Sequence, residues 1–204
     1  MTSDDARIAP LGDGALRLEL PSEVDPPLLL ERLRALPGVT DALVTEAHAA
    51  IYFDPSAPAA PDWTALLDAC RERGDRRAAR QVTLRVRYDG PDLDEAAARL
   101  GLAPPEVVAI HAAGDYVVRM IGFLPGFAYL GPLDARLALP RRDTPRPRVP
   151  AGALAIAGRT TGIYPFASPG GWHLLGITID FVPFDRARGA ALRLGDRVRF
   201  EAVG

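Results

Sequence analysis

The residues with the most chemical potential fall in one run, Gly122 to Gly176. Six arginines (Arg136, Arg141, Arg142, Arg146, Arg148 and Arg159) crowd residues 136–159, with only Asp134 and Asp143 as acids nearby. Guanidinium forks match carboxylate and phosphate oxygens, so this charge forms an anion-binding surface unless it is neutralised internally. Aromatics interleave with it: Phe123, Phe127, Tyr129, Tyr164, Phe166 and Trp172. The turn GRTTG (158–162) offers backbone amides and two hydroxyls, Thr160 and Thr161, to an oxyanion, or is simply a turn. His173 follows Gly170-Gly171-Trp172 and reads either as a ligand contact or as a core residue. The candidate binding set is therefore Arg141, Arg142, Arg146, Arg148, Thr160, Thr161, Tyr164, Gly170, Gly171, Trp172 and His173. Phe123, Pro125, Phe127 and Tyr129 are the candidate walls. The pattern supports an anion pocket lined by aromatics and names no reaction.

The same run dictates how such a site is held. It contains 9 of the 19 glycines and 8 of the 20 prolines of the 204-residue chain. Glycine permits φ > 0 and close backbone approach, and proline fixes φ and removes a donor. A regular helix is excluded, and the aromatic content does not fit a disordered linker. Ordered loops on short strands remain, which is where binding residues concentrate.

Absences exclude several chemistries. All 24 basic residues are arginine, so neither a P-loop lysine nor a Schiff-base lysine exists. His48, His111 and His173 share no ligand spacing and Cys70 is the sole cysteine, so no metal site is expected. Ser168 lies in ASPGG, which is not a nucleophile elbow. With a net charge of −2, nucleic acid is not an expected partner. No apolar run reaches the roughly 18 to 20 residues of a membrane span, and the N-terminus carries no secretion signal. A cytoplasmic setting is expected.

The elements that must position the site follow from periodicity. ALRLEL (15–20) alternates as a half-buried strand, and Asp25-Pro26 opens a helix that Pro37-Gly38 stops. Two strands follow, at 39–45 and 49–53. A second helix carries Trp63, Leu66, Leu67 and Cys70 on one buried face, which makes Cys70 a core residue. The charged run RERGDRRAAR (71–80) marks a domain boundary, and the elements before it suggest a small α+β layer. Beyond it come the strand QVTLRVRY and a helix striped by Leu93, Ala96, Ala97 and Leu100. Another helix, PPEVVAIH, precedes short strands (DYVVRMIG, GALAIAG, WHLLGITI, DRVRFEAV) that read as a barrel or sandwich.

Three phrases, MIGFLPGFAYLG, TPRPRVPAGALAIAGRTTGIYP and SPGGWHLLG, occur in order and together resemble the carboxyltransferase-C/D family, long labelled allophanate hydrolase subunit 1. The likeness extends from PLGDGALRLEL to LGDRVRF. It implies an α+β fold: a small N-terminal α+β domain, residues 1–78, followed by a cyclophilin-like β-barrel domain, residues 79–204. It also implies a role as the B subunit of a multi-subunit 5-oxoprolinase that opens 5-oxoproline to L-glutamate with ATP bound in the assembled complex. The implied partners are a sister cyclophilin-like subunit and a third lactam-utilisation subunit. Other members imply two alternatives, inhibition of a histidine kinase and half of a biotin-dependent urea carboxylase-like system. Two departures from the family stand out: Ile177, where many relatives have arginine, and a short first helix.

Overall fold

The structure, a computed structural model, describes residues 8–21, 24–45, 47–56, 68 and 79–204. The helix expected around Trp63 and Cys70, and the boundary run except for its last two residues, lie outside the described residues. The chain divides into two compact units, Met1–Ala78 and Ala79–Gly204.

In the first unit, β1 (Ile8–Pro10), β2 (Ala15–Glu19), β3 (Val39–Val44) and β4 (His48–Phe53) form an antiparallel sheet in the order β1-β2-β4-β3. Alternation sets its faces: Ala42, Val44, Ala49 and Ile51 are buried, while Asp41, Leu43, His48 and Tyr52 are exposed. Helix α1 (Pro26–Ala35) begins as its sequence dictates, with Asp25 accepting from the Leu28 amide at 3.3 Å and two prolines in its first turn. It buries Leu29 and Leu33 and ends before Gly38, whose φ of 80° few other residues adopt. The short edge strand β1 was not foreseen, because three residues carry no period.

The second unit is built on a closed barrel. Its strands are β5 (Gln81–Arg87), β6 (Tyr116–Ile121), β7 (Ala128–Gly131), β9 (Ala153–Ala157), β10 (Thr160–Ile163), β12 (His173–Ile179) and β15 (Arg197–Val203). They close in the order β10-β7-β6-β15-β5-β12-β9, and every pair is antiparallel except β15 with β5. Closure decides between the barrel and sandwich readings. Two ribbons lie outside it, β8 (Arg146–Val149) with β11 (Ser168–Gly170) and β13 (Phe184–Asp185) with β14 (Gly189–Ala190). Alternate residues of all seven strands share one core: Leu84, Val86, Tyr116, Val118, Ala128, Leu130, Leu154, Ile156, Ile163, Leu175, Val198 and Phe200. Ala96 and Ala97 of α2 (Leu93–Leu100) and Val107 of α3 (Pro104–Ala112) join it, so the two helices pack on the barrel.

His111, near the end of α3, is wholly buried in that core against Tyr88, Tyr116 and Phe200. The Thr161 hydroxyl donates to the Ala155 carbonyl, so it accepts from His111 Nε2 at 2.9 Å. His111 Nδ1 then accepts from the Tyr88 hydroxyl at 2.8 Å. Both nitrogens are satisfied in the neutral form, and burial lowers the imidazole pKa to about 3. This histidine is structural. Its folded pKa lies below the unfolded value, so its contribution is complete above about pH 6.5 and is lost as pH falls toward 3, at about 1.4 kcal/mol per pH unit. Denaturant titrations between pH 7 and 4 should show that acid slope, and His111→Gln should flatten it. An unchanged slope in the variant would contradict the assignment.

Candidate functional site

The site is laid on the outer face of the barrel wall. In GALAIAG, Leu154 and Ile156 point into the barrel, while Ala153, Ala155 and Ala157 face outward with Phe127, Val149, Tyr164, Trp172 and Leu174. Small outward residues leave room for rings. Gly162 of β10 does the same, since a Cβ there would meet the Phe127 ring at 3.1 Å and the Ala128 carbonyl at 3.0 Å. Phe127 is the centre of the cluster, edge-to-face with Tyr129 (4.9 Å), Tyr164 (5.2 Å), Trp172 (5.5 Å) and Phe123 (5.5 Å). Such pairs add about 0.5–1.5 kcal/mol each beyond burial. Gly170 belongs to this packing, because a Cβ there would lie 2.3 Å from the Tyr164 hydroxyl oxygen.

Phe127, Tyr164 and Trp172 are thus buried scaffold, and what faces outward is Phe123, Pro125 and half-buried Tyr129. Phe123 is 61% exposed and holds φ at 69°. A bulky residue in that region is strained, and such strain clusters at functional loops.

The arginines divide into two groups. Arg142 and Arg146 are bound to Asp92, which is 1% exposed. Arg146 grips it with both terminal nitrogens, Nη1 at 2.7 Å from Oδ2 and Nη2 on Oδ1. Arg142 Nη1 donates to Oδ1 at 3.0 Å and also to Glu95 at 3.0 Å. The Leu174 amide completes the set at 2.7 Å. Asp92 is pressed against β12 because Gly90 allows it: a Cβ at Gly90 would lie 2.3 Å from the Leu174 carbonyl oxygen. One carboxylate therefore ties the start of α2, the 140–146 segment and β12 together. Much of the positive charge expected to face a ligand is neutralised in this way.

Arg141 is different. It is exposed, and no carboxylate lies within ion-pair distance of it among the described residues. Burial pushes the Tyr129 phenol pKa up, and the nearby Arg141 charge opposes that rise. Burial likewise raises Tyr164, opposed by the Trp172 amide and by the charges of Arg141 and Arg146. A cation thus stands within electrostatic reach of two phenols, at the edge of an aromatic face. The segment carrying it is clipped down by the Arg142 amide on the Gly171 carbonyl (2.8 Å) and by His173 Nε2 on the Pro140 carbonyl (2.9 Å). This arrangement can hold a small carboxylate whose flat body lies on the aromatics.

The model of the carboxyltransferase domain, subdomains C and D, matches residues 6–192. The chain belongs to that family. It is 50% identical over 116 residues to the 5-oxoprolinase B subunit of Bacillus subtilis, covering 56% of this chain and 48% of that one. It is 38% identical over 212 residues to the 5-oxoprolinase B subunit of Escherichia coli, covering 96% and 95%. The match thus spans about half of the first relative and nearly all of the second. Among solved structures, TTHA0988 superposes with a TM-score of 0.80 at 40% identity, over 93% of this chain and 40% of that one. Urea carboxylase of Kluyveromyces lactis, at 19% identity and a TM-score of 0.67 over 98% of this chain and 22% of that one, shares the fold alone.

Within this member of the carboxyltransferase-C/D family, the remaining candidates fall as follows. Arg148 is exposed on the β8–β11 ribbon, and Thr160 is half-buried at the start of β10. Thr161 points into the barrel, where its hydroxyl is fully used, so GRTTG does not present two hydroxyls to an anion. Gly158 (φ 58°) and Arg159 make the hairpin turn there. Gly171 serves through its carbonyl, and Ile177 lies half-buried beside Gly152. Asp92 and Glu95 were missed. The signal was the arginine cluster itself, which called for a buried counter-charge; Asp92 sits just ahead of α2, where an acid reads as a helix cap.

Proposed function

We propose that this chain is the B subunit of a multi-subunit, ATP-dependent 5-oxoprolinase that opens 5-oxoproline to L-glutamate in the cytoplasm. The near full-length likeness to a protein of that name supports the assignment. The observation that carries it into chemistry is Arg141, an exposed guanidinium free of any carboxylate partner among the described residues, near Tyr129 and beside the aromatic face. 5-Oxoproline is a flat five-membered lactam bearing one carboxylate. Arg141 would pair with that carboxylate, and Tyr129 and Phe123 would flank the ring.

The described residues offer no P-loop for a nucleoside triphosphate. The chain has no lysine for a P-loop, and Thr161 is turned inward. No three His, Cys, Asp or Glu side chains gather into a metal-holding group among the described residues. We assign ATP to the assembled complex, in which a sister cyclophilin-like subunit and a third lactam-utilisation subunit complete the site. The role of this chain is recognition: it orients the lactam and excludes water from one of its faces. No helix of the described residues is long and apolar enough to cross a membrane.

The test is glutamate release from 5-oxoproline and ATP. The purified chain alone should give none, and the chain with both partner subunits should turn over steadily. Turnover by the chain alone would contradict the division of labour. An inactive full set, with this chain instead inhibiting a histidine kinase, would replace this reading with the regulatory one.

A further inference from the structure

We infer that Arg34 and Asp41 close the free edge of the first unit's sheet against strand addition, and that opening their clip lets two copies of the chain join edge to edge. The outer strands of that sheet are β1 and β3. An outer strand presents a row of unpaired amides and carbonyls, on which a second chain can pair. β1 is a poor template, since it has three residues and ends in Pro10. β3 is a better one. Its six residues, VTDALV, include the β-branched Val39, Thr40 and Val44, and Leu43 and Tyr52 are exposed on the sheet beside its edge.

Backbone alternation identifies the groups that a newcomer would use. The Thr45 amide donates to the His48 carbonyl of β4, so residues 43 and 45 turn their backbone groups toward β4, and residues 42 and 44 turn theirs away. Ala42 would therefore offer a second chain one donor and one acceptor. Both are taken. Its amide donates to Asp41 Oδ1 at 2.8 Å, and its carbonyl accepts from Arg34 Nη2 at 3.2 Å. The same Nη2 donates to Asp41 Oδ1 at 3.4 Å, which joins the two caps into one closed set.

Arg34 reaches over from α1, which packs beside β3, and Asp41 comes from the strand itself. The register of β3 on β4 also shifts between Val39 and Asp41, and such an irregularity spoils the straight run that a second strand needs. The two side chains are 57% and 66% exposed. An ion pair that open to water contributes little to stability, so the clip can be removed with the fold intact.

The test is sedimentation velocity of the full chain over a concentration series. Arg34→Ala/Asp41→Ala should keep the wild-type melting temperature and form, as concentration rises, a species of twice the wild-type mass. Asp41→Asn, whose amide oxygen still accepts from Ala42 and Arg34, should behave as wild type. Adding Ala42→Pro to the double variant removes the outward donor without touching a bond to β4, and should abolish the doubling. Hydrogen exchange reads the clip itself. At a concentration where the double variant is not doubled, its Ala42 amide should exchange roughly 5-fold faster or more than in the wild type, as expected for the loss of one hydrogen bond. The inference is overturned by a double variant that keeps the wild-type mass at every concentration, by a doubling that survives Ala42→Pro, or by an unchanged Ala42 exchange rate.

Discussion

Replacing Asp92 by alanine is expected to remove about 3–5 kcal/mol from the stability of the barrel unit. The reason is what would be left behind. Arg142 and Arg146 would be partly buried guanidinium ions without their shared counter-charge, and the Leu174 amide would lose its acceptor inside the protein. Truncating one member of a buried ion pair costs far more than the pair itself contributes, because the survivors stay desolvated. Glu95 would still hold one arm of Arg142, but at a half-exposed position that compensates little. Asp92→Asn should fall between wild type and alanine, since its amide oxygen still serves Leu174 but neutralises neither arginine. Denaturant midpoints with unchanged slopes are the measurement, and a loss below about 1 kcal/mol would show that the hub is not what holds these loops.

That hub also changes how the arginine cluster is to be probed. Reversing Arg141 and Arg142 together, the natural choice from the sequence, would break the Asp92 network along with any ligand contact. Arg141, exposed and outside that network, is a position that separates binding from folding.

The legible parts of this chain were the local ones. The start of α1 at Asp25-Pro26 and its stop at Pro37-Gly38 are read from a few adjacent residues, and so are the alternations of β2 and β5. The aromatic cluster and the arginines were visible as composition. Closure of the barrel by parallel pairing of β15 with β5 joins residues more than a hundred positions apart, and no local pattern encodes it. The three-residue strand β11, Ser168–Gly170, has too little length to show a period. Thr160 and Thr161 show the sharpest limit. One residue of strand register separates a half-buried hydroxyl from one sealed inside the barrel, and GRTTG looks the same either way. Asp92 was illegible for a related reason: its partners lie 50, 54 and 82 positions further on.

If Arg141 holds the carboxylate of 5-oxoproline at the edge of the aromatic face, substrate affinity responds to that one side chain. Arg141 is exposed with no ion-pair partner among the described residues, so Arg141→Ala should leave the melting transition unchanged. A charge-assisted hydrogen bond contributes about 1.5–3 kcal/mol, which predicts a roughly 10- to 150-fold rise in the KM for 5-oxoproline in the assembled enzyme. Arg141→Lys should recover part of that, because the charge returns without the fork. The carboxamide of 5-oxoproline should bind the wild type about as weakly as the acid binds Arg141→Ala, and removing both partners should cost no more than removing either. A wild-type KM in a folded, assembled Arg141→Ala enzyme would contradict the account.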